Sequence, residues 1–360
     1  MNPLLEKAQD WLQNVAAPQA EQLDYDPAAL REAILQMFQN GFMSMKRPQA
    51  YGGPALSDRE YRLYQMMVAR HSGAIAFTTT QHQSSVSFVA GGTNEPLKEK
   101  FLTRMGTVEG GAGVAFSQLR KSGAPAVLAK KVEGGFEVSG RLPWITGYGI
   151  YPSFVLAAET EDGSTLFLLL PFYSGKGVLI GEPMALAVAT SSETVAAELQ
   201  EVFVPDEMVI GMKAPGWIHQ NDMANAANQG FLALGCAWAA HDQLERAYNA
   251  KPSDSLQAAL TNAKAQLQCA ETELFATADE TQPHTLKEKV EARSTCIKLA
   301  QQLAGMAIAS WGGSALSLNH PAQRVYREAL LYTVVGQTQE IRAGTLDAIS
   351  AGLTSAAPAD

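Results

Sequence analysis

The chain has 360 residues, 46% of them hydrophobic, and carries 36 acidic against 27 basic side chains for a net charge of −9. That length exceeds a single hydrophobic core and asks for two or three subdomains, which this apolar content is ample to fill. Without any run of Lys and Arg a negative chain has nothing to neutralise phosphates with, which excludes a nucleic-acid role, and no apolar run approaches the roughly 18 residues of a membrane span.

The opening Met1-Asn-Pro-Leu-Leu-Glu-Lys has neither the basic start nor the apolar core of a signal peptide, so a cytoplasmic protein is expected. From Asn2 to about Thr107 the pattern is helical, with Leu4-Leu5, Ala8, Trp11-Leu12 and Val15 recurring at three and four residues. Asp26-Pro27 supplies an N-cap and a proline at the first helical position, Ser57-Asp-Arg-Glu60 a capping box, and Asn94-Glu-Pro another helix start. Between the first two lies Pro48-Gln-Ala-Tyr-Gly-Gly-Pro54, a loop whose paired glycines permit positive φ or close backbone approach.

From Gly110 to about Gly216 the texture changes to short β-branched and apolar runs broken by Gly, Asp and Pro. Val132-Glu-Gly-Gly-Phe-Glu-Val-Ser139 reads as a hairpin, and Phe154–Ala158, Thr165–Leu170, Val178–Gly181 and Thr194–Val204 read as strands of an antiparallel barrel or sandwich. The hairpin leads into Gly140-Arg-Leu-Pro-Trp-Ile-Thr-Gly147. Strand alternation puts Trp144 and Thr146 on one face and Ile145 on the other. An indole beside a hydroxyl makes a wall for a planar, hydrogen-bonding ring such as a flavin, although a lone tryptophan at strand spacing is more often packing.

Beyond Ile218 long helices return, broken at Pro252-Ser253, Gln282-Pro283, Gly312-Gly313 and His320-Pro321, and their short connections predict an antiparallel bundle of four or five helices. Cys236, Cys269 and Cys296 sit in these helices without CxxC spacing and are read as buried thiols, with no metal site expected. The fold class is therefore α+β, with domains at 1–109 (helical), 110–217 (β) and 218–360 (helical bundle). Leu299–Trp311 has too little polar surface for a helix with a wet side, which predicts a homodimer or homotetramer.

Helices, then a β-domain, then a bundle is the order of the acyl-CoA dehydrogenase superfamily, and several stretches resemble it. Pro48-Gln-Ala-Tyr-Gly-Gly53 resembles its Pro-x-x-Tyr-Gly-Gly segment, Gly92-Thr93 to Leu102 its Gly-Thr-x-x-x-Lys-x-x-x-Leu helix, and Trp144-Ile-Thr146 its flavin-contacting strand. Gly312-Gly313 to Arg327, through Pro321 and Arg324, is similar to its Gly-Gly…Pro…Arg-Asp stretch. The resemblance implies FAD, with FMN or no flavin as alternatives. It sets Trp144, Ile145 and Thr146 against the ring, Phe116, Ser117 and Gln118 on the neighbouring strand, and Thr338 near the dinucleotide. By its residue type Thr338 also reads as a helix N-cap, with Ile341 starting the apolar face.

The same comparison exposes departures. Dehydrogenases of this kind need a carboxylate to take the α-proton as hydride leaves the β-carbon. The usual Glu position holds Gly336 or, on the other anchoring, Val335; the alternative place, ten residues before Gly235, holds Asn225, followed by Ala226. Asp222 is the fallback, read as sitting at a helix start, where such residues mostly cap. The Thr-Glu-Pro…Gly-Ser-Asp loop is missing from Gln118–Pro125, and the Arg-x-x-Phe-Gly turn from Arg246–Ser255. The reading is a flavin-dependent oxidoreductase on a CH–CH group of an acyl thioester or related small molecule, with a possible electron-transfer partner. A monooxygenase of the same fold, with His82 as a candidate acid, and a non-catalytic binding member are the alternatives. Arg120 and Arg141 are candidates for a CoA phosphate.

Overall fold

The computed structural model describes residues 2–351 apart from 122 and 280. Capping chemistry sets the N-terminal helices, which are α1 (Pro3–Trp11), α2 (Ala20–Tyr25), α3 (Pro27–Gln39), α4 (Asp58–His71), α5 (Gly73–Ala90) and α6 (Glu95–Leu102). Asp26 Oδ1 accepts from the amides of Ala28 and Ala29 at 2.9 and 3.2 Å. Ser57 and Glu60 form the reciprocal pair expected of a capping box, Ser57 N to Glu60 Oε2 at 3.0 Å and Glu60 N to Ser57 Oγ at 3.3 Å. In the Pro48–Gly53 loop a Cβ at Gly53 would fall 1.6 Å from the Arg47 carbonyl oxygen, so the backbone itself requires glycine there.

The strands are β1 (Ala112–Ala115), β2 (Val127–Val132), β3 (Gly135–Ile145), β4 (Ser153–Glu159), β5 (Thr165–Pro171), β6 (Val178–Ile180), β7 (Val195–Pro205) and β8 (Val209–Lys213). They form one sheet in the order β6-β7-β3-β2-β4-β5-β8, with β1 beside β4. The sheet is mixed rather than wholly antiparallel, because β4 runs parallel to both β1 and β2. Topology explains this. The chain reverses after β3, but β2 already lies antiparallel along β3, so the returning β4 runs the same way as β2. Strands β4 and β5 are buried along almost their whole length, which is why both read as unbroken apolar runs.

Helices α7 (Trp217–Ala224), α8 (Gly230–Ala250), α9 (Asp254–Thr277), α10 (Leu286–Trp311), α11 (Pro321–Val334) and α12 (Gln339–Ser350) complete the chain. The described residues form two compact units: one takes in the chain as far as Tyr64 together with Ser72–Asn221, the other Gln65–His71 and everything described from Asp222 on. Cys236 and Cys296 are buried as expected, whereas Cys269 is exposed, on the wet face of α9.

Candidate active site

In the first unit, β1 ends at Ala115 and the chain turns through a 3₁₀ segment, Ser117–Arg120. Gln118 is buried, and its side-chain amide donates to the carbonyls of Ala115 and Ala157 at 3.2 and 2.7 Å. Gln118 Oε1 and the neighbouring Ser117 Oγ are inaccessible to solvent and have no hydrogen-bond partner among the described residues. Two such atoms side by side are costly unless a ligand meets them. Phe116 is half-buried, edge-on to Phe88 at 5.1 Å, with the Arg120 guanidinium 5.8 Å from its ring.

The end of β3 differs from simple alternation. Trp144 is 42% exposed, so the packing reading does not hold for it, while Ile145 and Thr146 are both buried. The β3–β7 ladder shifts register between Leu142 and Ile145, across Pro143, so exposure does not simply alternate along Trp144, Ile145 and Thr146. The Thr146 hydroxyl shares a hydrogen bond with Thr194 Oγ1 at 2.9 Å, and Thr194 Oγ1 in turn lies 3.2 Å from Ser192 Oγ.

His82, the candidate acid, is fully buried on α5. Its Nδ1 accepts from the Ala112 amide at 3.2 Å, which leaves Nε2–H to donate to the Met105 carbonyl at 2.9 Å. Burial holds its pKa down at about 4. Both nitrogens are committed to backbone, so His82 fixes the start of β1 and has no face for a substrate.

In the second unit, Asn225 belongs to no helix: it opens a turn, residues 225–229, between α7 and α8, and its Oδ1 accepts from Asn228 at 2.8 Å. Asp222 lies in the second half of α7 rather than at a helix start, and it is half-buried. Val335 and Gly336 form the turn between α11 and α12, with Gly336 in the left-handed region at φ 59°. Thr338 caps α12, accepting from the Ile341 amide at 3.3 Å, and Ile341 is buried, so the capping role is real.

What draws these positions together is a residue missed in the sequence. Arg293, buried on α10, donates to the carbonyls of Val335 (2.7 Å) and Gly336 (3.2 Å) and to that of Ala226 (3.3 Å). One turn earlier Lys289 donates to the Ala224 carbonyl at 3.0 Å. The signal was available: Val290, Arg293, Ile297 and Ala300 fall at three- and four-residue spacing, so a cation occupies the apolar stripe. Elsewhere on α8, ligand atoms of His241, Asp242 and Glu245 lie within 4.8 Å of one another. Both Asp242 oxygens already accept from Arg70, at 2.7 and 2.8 Å, and the cluster carries no metal assignment.

The family model for the acyl-CoA dehydrogenase N-terminal domain matches residues 2–109. Over 93% of its length the chain is 25% identical to the 3-(aryl)acrylate reductase of Clostridium sporogenes, covering 94% of that protein. It is 26% identical to the benzylmalonyl-CoA dehydrogenase of Aromatoleum aromaticum, covering 90% of this chain and 91% of that one. Among solved structures, the butyryl-CoA dehydrogenase of Megasphaera elsdenii superposes with a TM-score of 0.81 at 20% identity, over 96% and 97% of the two chains. The family model, these relatives and the shared fold together support the acyl-CoA dehydrogenase superfamily for this chain. That likeness implies a flavin, and the acyl-CoA dehydrogenase relatives are oxidoreductases of that type. The residues present fit one: the exposed Trp144 indole offers a stacking face, and Ser117 Oγ and Gln118 Oε1 are unmatched polar atoms.

Proposed function

We propose that the protein is an FAD-dependent oxidoreductase of the acyl-CoA dehydrogenase type, acting on the CH–CH bond beside an acyl carbonyl, and that it lacks the usual base. The observation that carries this reading is the pair of turns bridged by Arg293: the two places where the superfamily keeps its carboxylate fall at Asn225 and at Val335–Gly336, and the charged group bonded to both turns is a guanidinium. A bound flavin supplies a two-electron acceptor or donor at that bond. Trp144 stacks against it, and Ser117 and Gln118 satisfy polar ring atoms. Phe116 adds an apolar edge, and Thr338 lies toward the dinucleotide. With no carboxylate at either base position, abstraction of an α-proton is weak, and Asp222 is the remaining side chain of the right chemistry.

The two relatives named for aryl and benzyl substrates support an aryl-substituted acyl compound over a straight chain. An electron-transferring flavoprotein is a fitting redox partner for such a two-electron flavoenzyme. The test is spectroscopic. Purified protein loaded with FAD is expected to show the flavin band, to bleach slowly with butyryl-CoA and, once reduced, to be reoxidised faster by an arylacrylate or its CoA ester. Protein that takes up no flavin would make it a non-catalytic member, and reoxidation by oxygen with a hydroxylated product would make it a monooxygenase.

A further inference from the structure

We propose that Thr194 is a positioning residue for the flavin, acting through Thr146; this rests on the flavin reading above. Three hydroxyls lie in a buried row, Ser192 Oγ to Thr194 Oγ1 at 3.2 Å and Thr194 Oγ1 to Thr146 Oγ1 at 2.9 Å. A hydroxyl has one hydrogen to give. When Ser192 donates to Thr194 and Thr194 to Thr146, the Thr146 hydrogen is left over for an acceptor on the ligand, and the row strengthens that donor by polarising it.

The backbone around the row is held in a conformation that costs energy. Ala189 and Glu193 both adopt left-handed φ, 51° and 45°, without being glycine. Left-handed backbone at residues other than glycine is strained and persists only where surroundings impose it. Here the Ala189 amide donates to buried Asp24 at 2.7 Å, the Gly147 amide to the Ser192 carbonyl at 2.9 Å and the Tyr148 amide to the Glu193 carbonyl at 3.3 Å. These last two bonds clamp the strained turn to the residues that follow Thr146, so the row cannot drift from the threonine it serves. Sheet packing alone gives no reason to place a strained, hydroxyl-lined turn against the end of β3.

The test compares Thr194→Val, Thr194→Ser and Thr146→Val. Removing the Thr194 hydroxyl is expected to weaken FAD binding roughly five- to ten-fold, the effect of about one hydrogen bond, and to shift the flavin absorption band. Thr194→Ser restores both, and Thr194→Val adds nothing when Thr146 is already valine. Unchanged affinity and spectrum in Thr194→Val, or additive effects of the two valines, overturn the proposal. A second readout needs no flavin: unfolding midpoints of the two single variants and the double variant of the flavin-free protein are expected to be non-additive. If wild type takes up no flavin, the functional reading fails, and additive midpoints in this cycle would separately sink the coupling.

Discussion

At the scale of single residues, exposure decides what each substitution tests. Trp144 is half out of the sheet, so its removal leaves little cavity. Trp144→Ala is expected to keep the unfolding midpoint of the flavin-free protein while weakening FAD binding about ten-fold, checked by melting curves beside a flavin titration. Restoring a base separates two positions that look equivalent in the sequence. A side chain at Gly336 is forced into the left-handed region, at a cost of about 1–2 kcal/mol, and its Cβ would stand 3.2 Å from Gln229 Cγ. Asn225 sits on an exposed turn with room for a longer side chain. Asn225→Glu is therefore the cleaner insertion, and a 10- to 100-fold faster bleaching with butyryl-CoA is expected from a positioned base. An unchanged rate with normal flavin binding would show that Asn225 does not face the α-carbon. The strand carrying Trp144 was readable because indole, proline and glycine recur in a recognisable run. The burial of Thr146 was not, because its partner Thr194 is 48 residues away and the register shift before it leaves no periodic trace.

At the scale of elements, caps were legible and buried polar groups were not. Asp26, Ser57 and Asn94 announced their helices by local chemistry alone. Helix α5 instead fills its buried side with Thr78, Thr79, His82, Gln83 and Ser85; Thr79 bonds the Ile75 carbonyl one turn back, whereas His82, Gln83 and Ser85 bond distant backbone groups that no window reveals. His82 links this element to pH. Its folded pKa of about 4 lies below the unfolded value of about 6.5, so the unfolded chain binds the proton first. Its contribution is complete above pH 6.5 and is lost as pH falls toward 4, amounting to about 3 kcal/mol over that window. His82→Gln should flatten the acid limb of a stability–pH curve, and an unchanged limb would show that other groups govern it. Helix α11 carries a second buried charge, Glu328, bonded by Arg324 one turn earlier at 2.6 Å. Glu328→Ala is expected to cost about 3–5 kcal/mol in denaturant titrations by breaking this buried ion pair, while Arg324→Met with Glu328→Leu recovers most of it.

At the scale of the whole molecule, the surface available for the predicted association differs from the one read in the sequence. Helix α10 buries Leu299, Ala300, Leu303, Ala304 and Ala307 within its own unit, so most of the apolar circumference read from the sequence is already covered. Exposed apolar area lies instead on Leu316 and Leu318, 80% and 68% accessible, and on Tyr326, Leu330 and Val334, which are spaced four apart along α11. A stripe at that spacing is one helix face, and we propose it is covered by a second copy. Leu330→Glu with Val334→Glu should convert the oligomer to monomers in light scattering; a wild-type monomer mass at micromolar concentration would remove the need for that interface.

The second unit is not one continuous stretch of chain. Gly235 has room for no side chain because the Met66 carbonyl oxygen would lie 2.4 Å from its Cβ, and Arg70 grips Asp242, so seven residues made early in synthesis complete a bundle whose other helices emerge more than 150 residues later. Loop closure over such a span must precede the contacts that reward it. On the ribosome, Gln65–His71 therefore wait with their bundle-facing side chains uncovered until the last third of the protein has been synthesised, and a truncated message ending before α8 would release a chain with that surface permanently open.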